Sequence, residues 1–275
     1  MHLLIDADSL IYKATAPCDT KMYIVSDEEG KIYAEFPYKK DMMKWLNAEP
    51  KVEELTWEHI VTEVEPVENA LHNLKVKLQL ILEKASPDSY ELFLTKGDNF
   101  RHDLAKNKPY KGTRGAKPTH FQAGFDYLIK HWGAEYTLGL EADDVVAMKM
   151  HENEYASDVC VAHIDKDIDT VKGLHFNFDT YEFYELSRHE ALANYYRQFL
   201  IGDSSDNIEG VKGIGKVNAA KLIKPTMHEW EMFDVICTKF KYNNKLILET
   251  GRLLHMTRQI HLDGSPFLWE FPEHG

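Results

Sequence analysis

Cysteine is scarce in this 275-residue chain: Cys18, Cys160 and Cys237 lie far apart, with no C-x-x-C pair. So sparse and odd a set argues against a disulfide framework or a zinc knuckle and fits a reducing cytoplasm. No apolar run approaches the about 18 residues that suggest a membrane span. Met1 leads almost directly into an apolar strand-like run, so a secretion signal is not expected. Internal repeats and low-complexity segments are missing too. Positive charge is in deficit, with 32 Lys and Arg against 45 Asp and Glu, a net charge of −13. Taken alone, that argues against a nucleic-acid partner.

The distribution of charge says more than its sum. Between Arg101 and Lys130 stand seven bases (Arg101, Lys106, Lys108, Lys111, Arg114, Lys117, Lys130) and two acids. Gly210 to Lys224 carries four lysines and no acid, whereas Asp27 to Glu68 carries twelve acids and five bases. Two basic stretches therefore remain for a polyanion.

Strand-like runs alternate with helical patterns. His2–Ile5, Tyr90–Leu94, Glu135–Leu138 and Asp158–Ile164 read as strands; E-N-A-L-H-N-L-K-V-K-L-Q-L-I-L behind Pro66 reads as a helix. Lys21–Phe36 and Leu174–Tyr184 read as hairpin-like units, and the pattern turns helical from Ser187. Such alternation implies an α/β fold with a mainly parallel central sheet flanked by helices. The expected division is an α/β core over 1–185 and a helical region over 186–275. Residues 99–118, rich in Lys, Arg, Gly and Asn, read as a mobile loop or marginal helix.

Acids gather where these elements end: Asp6 in L-I-D-A-D, Glu141, Asp143 and Asp144 in L-E-A-D-D-V-V-A, Asp165 and Asp167 in H-I-D-K-D-I-D, Asp203 and Asp206 in I-G-D-S-S-D-N-I. Each group alone has an ordinary explanation, as helix-dipole partners, turn residues or caps. Together they sit on the rims of apolar runs, beyond strand ends where α/β sheets bind ligands. Converging carboxylates raise one another's pKa, and hard divalent ions held by oxygen ligands, Mg²⁺ or Mn²⁺, relieve that repulsion. A calcium loop starting at Asp165 fails, because its sixth and twelfth places hold Thr170 and Phe176. Tyr110 beside Lys111 pairs an aromatic with a cation, as base stacking with phosphate binding requires. Gly210–Lys216 (G-V-K-G-I-G-K) reads as a tight turn opening a helix; it lacks the G-K-[ST] of a nucleotide-binding loop.

The ordered set L-I-D-A-D, F-R…P-Y-K-G-T-R, L-E-A-D-D-V-V-A, D-K-D-I-D and I-G-D-S-S-D-N-I-E-G-V-K-G-I-G-K resembles the 5′-nuclease superfamily of flap endonucleases and 5′→3′ exonucleases. It covers roughly residues 1–16 and 70–262. The length and the carboxyl end (L-L-H-M-T-R-Q-I-H-L) look most like phage-encoded exonucleases, beside the 5′-nuclease domain of bacterial DNA polymerase I. The resemblance implies a PIN-like nuclease core, a helical arch or clamp over 99–118, and a helix–three-turn–helix element gripping duplex DNA. It further implies Asp6, Glu141, Asp143 and Asp144 as ligands of a catalytic ion, and Asp165, Asp167, Asp203 and Asp206 as ligands of a second. Lys111 with Arg101 or Arg114 would hold the scissile phosphate. Tyr110, Lys108, Lys117, Lys212, Gly213, Gly215 and Lys216 would contact DNA, with K⁺ at the glycine turn. The substrates implied are DNA 5′ ends and flaps, and RNA–DNA hybrids.

The chain departs from the family pattern twice. Thr95 stands where relatives carry an Asp after the strand, which leaves Asp98 as the nearest acid. Residues 18–66 are an acidic insertion, unsuited to lie along phosphates. Two rival readings are a catalytically inactive DNA-structure-binding module and a PIN-like ribonuclease.

Overall fold

The computed structural model describes residues 1–48, 55–152 and 158–272. The chain divides into two compact units, one of residues 1–10, 78–116 and 128–275, the other of 11–77 and 117–127. The sheet and the C-terminal helices thus share a unit, and no boundary falls at residue 185.

The first unit is built on six strands: β1 (His2–Asp6), β5 (Ser89–Asn99), β6 (Glu135–Gly139), β7 (Val159–His163), β8 (Gly173–Asn177) and β9 (Glu182–Leu186). Their order is β6-β5-β1-β7-β8-β9, parallel except for the edge strand β9. Strands β1 and β7 read as continuous apolar runs because both of their faces are covered. The chain leaves β1 toward β5 on one side and later returns to β7 on the other. The ends of β1 and β7 therefore flank the point where the strand order reverses, the usual crevice of an open α/β sheet. Asp6 closes β1, and Asp165 and Asp167 follow β7.

Helix α6 (Ala142–Glu152) packs Val146, Ala147 and Met150 with Leu4, Phe93 and Val161 of the sheet. Helices α7 (Arg188–Ile201), α8 (Lys216–Leu222), α9 (Glu229–Lys239) and α10 (Asn244–Leu254) enclose a second core containing Tyr196, Phe199, Met232, Ile247 and Trp269. Ser187 and Glu190 form a capping box that starts α7. Gly202 ends that helix at φ +73°, and a Cβ there would stand 2.3 Å from the Gly210 nitrogen. That close approach lets β10 (Gly202–Asp203) pair with β11 (Ile208–Glu209), a short hairpin the helical pattern after Ser187 does not announce.

The segment expected as a helical arch is helical only over α4 (Arg101–Leu104). Turns follow through Thr113, as Pro109, Gly112, Gly115 and Pro118 in a segment of weak apolar periodicity would dictate.

In the second unit, β2 (Asp19–Ser26), β3 (Ile32–Phe36) and β4 (Thr56–Val64) make an antiparallel sheet of order β3-β2-β4. It is accompanied by α2 (Lys39–Ala48), and parts of α1 (Ala7–Thr15), α3 (Val67–Ala85) and α5 (Phe121–Trp132) belong to the same unit. The described residues of the acidic insertion therefore form an antiparallel sheet with a helix, with Val25 and Met42 buried.

Candidate active site

Asp6 is 2% exposed and accepts from the Ser9 hydroxyl (2.5 Å) and the Asp8 N–H (3.2 Å). Burial, followed by the charges of Asp8 and Asp165, pushes its carboxyl up to about 7. Burial, then Asp6, Asp165 and Glu141, holds Asp143 well above the usual carboxylate range. Burial and Asp165 push Asp167 up to about 7, with Lys166 opposing them. At the crevice Asp165 thus adds to the repulsion felt by Asp6, Asp143 and Asp167, and Asp6 to that felt by Asp143.

The first turn of α6 sends its acids two ways. Asp143 feels Asp6 and Asp165, while Glu141, just before the helix, and Asp144 are both reached by Arg101. Asp144 takes a bidentate pair from the fully buried Arg101 guanidinium, at 2.7 Å on each oxygen. It also accepts the N–H groups of Thr257 (2.8 Å) and Glu141 (3.1 Å). Against its burial, Arg101 holds the Asp144 carboxyl below the ordinary range. Arg101 reaches Glu141 as well (3.3 Å) and donates to the carbonyls of Leu253 and His255. Neither the Arg101 guanidinium nor the Asp144 carboxylate is open to a phosphate or ion in this arrangement.

Lys108, Lys111 and Arg114 of the 101–114 segment also close on acids. Lys111, at φ +56°, ion-pairs with Glu141. Arg114 pairs with Asp206 at 2.7 Å and keeps a side chain 42% exposed. The Tyr110 hydroxyl sits 2.7 Å from both Glu141 and Asp206, and the ring is 4% exposed, so its face is not presented for base stacking. Lys108 pairs with Glu209.

Lys166, Gln198 and Ser205 complete the site and were not singled out in the sequence. Lys166, its side chain 48% exposed, bridges Asp167 (3.2 Å) and Asp203. Its place in D-K-D was the available signal. Gln198 donates to Asp167 at 2.7 Å. Against its burial, Lys166 and Ser205 hold the Asp203 carboxyl below its usual value.

Asp98 does not join the acids. Its side chain is 93% exposed, with His102 at 3.9 Å, because β5 runs on through Gly97 at φ +78° and turns it outward. Thr95 accepts the Ala142 N–H at 2.9 Å and so helps start α6. Lys117 belongs to the second unit, where its ammonium lies 4.2 Å from the Phe121 ring centroid. Gly213 takes φ +84° in the turn before α8, and Lys212 and Lys216 are exposed on either side of it. A cleft in the same unit is lined by Lys108, Lys212, Lys239 and Lys241.

The fold and the acid group define an α/β protein with a carboxylate crevice at its sheet ends. No family model matches the chain. It is 34% identical over 155 residues to a 5′-3′ exonuclease of Bacillus subtilis (strain 168), covering 49% of this chain and 50% of that protein. It is 26% identical over 174 residues to a 5′-3′ exonuclease of Mycoplasmopsis pulmonis (strain UAB CTIP), covering 56% and 57%. The chain therefore spans about half the length of the curated relatives it matches. Among solved structures, the bacteriophage T5 D15 flap endonuclease, in a complex with DNA and metal ions, matches with TM-score 0.59 at 15% identity, covering 92% of this chain and 88% of that one. The T5 D15 protein crystallised with metal ions matches with TM-score 0.58 at 16% identity, covering 92% and 89%. The chain thus resembles 5′-3′ exonucleases in sequence over about half its length and shares its fold with the T5 D15 protein.

Proposed function

We propose that the chain is a metal-dependent 5′→3′ exonuclease or structure-specific 5′ flap endonuclease acting on DNA. What supports this reading is the repulsion that links Asp165 to Asp6, Asp143 and Asp167 beyond the ends of β1 and β7, with Lys111 and Arg114 on the neighbouring acids Glu141 and Asp206. The four carboxyls fit a hard divalent ion: they are oxygen donors, and burial and mutual repulsion hold three of them above their ordinary pKa values. Asp6, Asp143 and Asp165 would hold one Mg²⁺ or Mn²⁺, with Glu141 beside them; Asp167, Asp203 and Asp206 would hold a second once Lys166 moves aside. Such ions supply a hydroxide nucleophile and neutralise charge on the leaving oxygen.

Lys111 and Arg114 would exchange their carboxylate partners for the oxygens of the scissile phosphate and stabilise the charge that grows on it. Arg101 and Asp144 act one layer behind, holding α4 and α6 in register. Opening of the 105–116 segment would free Tyr110 to stack on a terminal base. The Gly210–Gly215 turn, with Lys212, Lys216 and a bound K⁺, would grip the duplex backbone as a helix–three-turn–helix element. RNA–DNA hybrids fit the same crevice, and a phage-type replication role in the bacterial cytoplasm suits such an enzyme. No helix among the described residues is long and apolar enough to cross a membrane.

The test is Mg²⁺-dependent release of 5′ nucleotides or flaps from labelled DNA duplexes, with Asp143→Asn beside the parent chain. Loss of cleavage with DNA binding retained is expected. Undiminished cleavage by a folded Asp143→Asn protein would sink the assignment, and binding without cleavage by the parent chain in Mg²⁺ would favour the inactive module.

A further inference from the structure

The sheet carries another group of metal-type side chains, at the junction of β7, β8 and β9. His163 ends β7, His175 lies in β8, Tyr184 faces it across the β8–β9 pair, and Asp169 sits in the 3₁₀ turn Ile168–Thr170. His163 and His175 are 2% and 0% exposed.

Their protons can be placed from their neighbours. His163 Nδ1 lies 2.7 Å from the Asp165 carbonyl oxygen, which can only accept, so Nδ1 carries the proton. His175 Nε2 likewise donates to the Val171 carbonyl at 3.0 Å. The neutral rings then turn two bare lone pairs toward each other, His163 Nε2 and His175 Nδ1, at 2.9 Å. The Tyr184 hydroxyl stands 3.1 Å from His163 Nε2 and 2.7 Å from Asp169 Oδ1, and its single proton serves one of them. Asp169 Oδ1 is 3.9 Å from His163 Nε2. His163, His175 and Asp169 each offer a ligand atom within 4.8 Å of the others, with one hydroxyl proton among them.

A cation satisfies that arrangement. Imidazoles whose outer N–H groups donate to backbone carbonyls have the orientation that metal-binding histidines have. Two nitrogens and a carboxylate oxygen suit zinc-class ions better than Mg²⁺. The Asp169 side chain is 34% exposed, which gives an ion a way in.

We propose that His163 Nε2, His175 Nδ1 and Asp169 Oδ1, with the Tyr184 hydroxyl beside them, form a site for a divalent transition metal. The ion ties β7, β8 and the 3₁₀ turn together and so braces the loop that carries Asp165 and Asp167.

The test uses the full chain carrying Asp6→Asn and Asp143→Asn, which weakens the acid crevice as a competing site. After treatment with chelator, Co²⁺ is titrated against a large excess of Mg²⁺, and the visible absorption of nitrogen-ligated Co²⁺ is followed. One saturating equivalent is expected. His175→Gln and, separately, Asp169→Asn weaken Co²⁺ binding at least about 10-fold. The part-exposed Asp169 keeps its shape as Asn, so the test stands even if His175→Gln fails to fold. No nitrogen-ligated absorption, or an affinity unchanged in the folded variants, overturns the proposal and leaves the histidine pair sharing a proton.

Discussion

At the scale of single residues, Arg101 and Lys111 separate two uses of positive charge. Arg101 reads in the sequence as one more base in a basic run, yet it lies fully buried on Asp144 with both carboxylate oxygens paired. Removing one partner of such a pair strands the other charge in the interior. Arg101→Ala should therefore cost about 3–5 kcal/mol of stability, read from urea unfolding with the acid crevice otherwise intact. A loss under 1 kcal/mol would show that the pair is not held as described. Lys111 sits at the crevice with its φ in the left-handed region, a conformation retained at functional positions at some cost. Lys111→Ala should cost less stability than Arg101→Ala, because Glu141 keeps Arg101 and Tyr110 as partners, and should lower the cleavage rate by about 10²-fold or more, the size of effect seen when a donor to transition-state charge is removed. Single-turnover cleavage measures it, and an equal loss in both variants would erase the distinction. The acids were legible because they close apolar runs. Arg101's burial was not, because its partner lies 43 residues away on another element.

Elements extend the same contrast. The sheet, α3 and the hairpin insertion follow from periodicity and turn chemistry, which are local. The 105–116 segment has no such period, and its conformation is set by distant partners: Tyr110 between Glu141 and Asp206, and Glu249 accepting the N–H groups of Lys106 and Asn107. Tyr110→Phe removes the one hydroxyl that joins the two acids and should cost about 1–3 kcal/mol. Hydrogen exchange should then quicken across 105–116 and hardly at all in β1 or β7; protection unchanged in that segment would refute the latch. The β10–β11 hairpin escaped sequence reading because two-residue strands carry no period. Its signal is Gly202, whose missing Cβ admits the Gly210 backbone. Gly202→Ala should destabilise by roughly 2 kcal/mol or more, since it combines a left-handed φ with a backbone clash.

For the whole molecule, the acid crevice ties stability to both pH and metal. Asp6 and Asp167 rise from 3.8 in the unfolded chain to about 7 when folded. Folded protein therefore binds more protons than unfolded protein between those values, and these two groups lower stability as pH climbs from about 4 to about 7. His163 and His175 act oppositely, because their folded values fall from 6.5 to about 4 and their contribution is lost as pH drops through that range. A bare pH profile mixes the two, whereas the response to Mg²⁺ isolates the carboxylates, because an oxygen-preferring ion competes with their protons and hardly at all with imidazole. At pH 8 saturating Mg²⁺ should raise the melting temperature by several degrees, about 2 kcal/mol being ample for that in a chain of this size. At pH 5.5 the protonated crevice should give a far smaller shift, and Asp143→Asn should remove most of the shift at pH 8. A Mg²⁺ response equal at both pH values would mean that the ion binds elsewhere than among these four carboxyls.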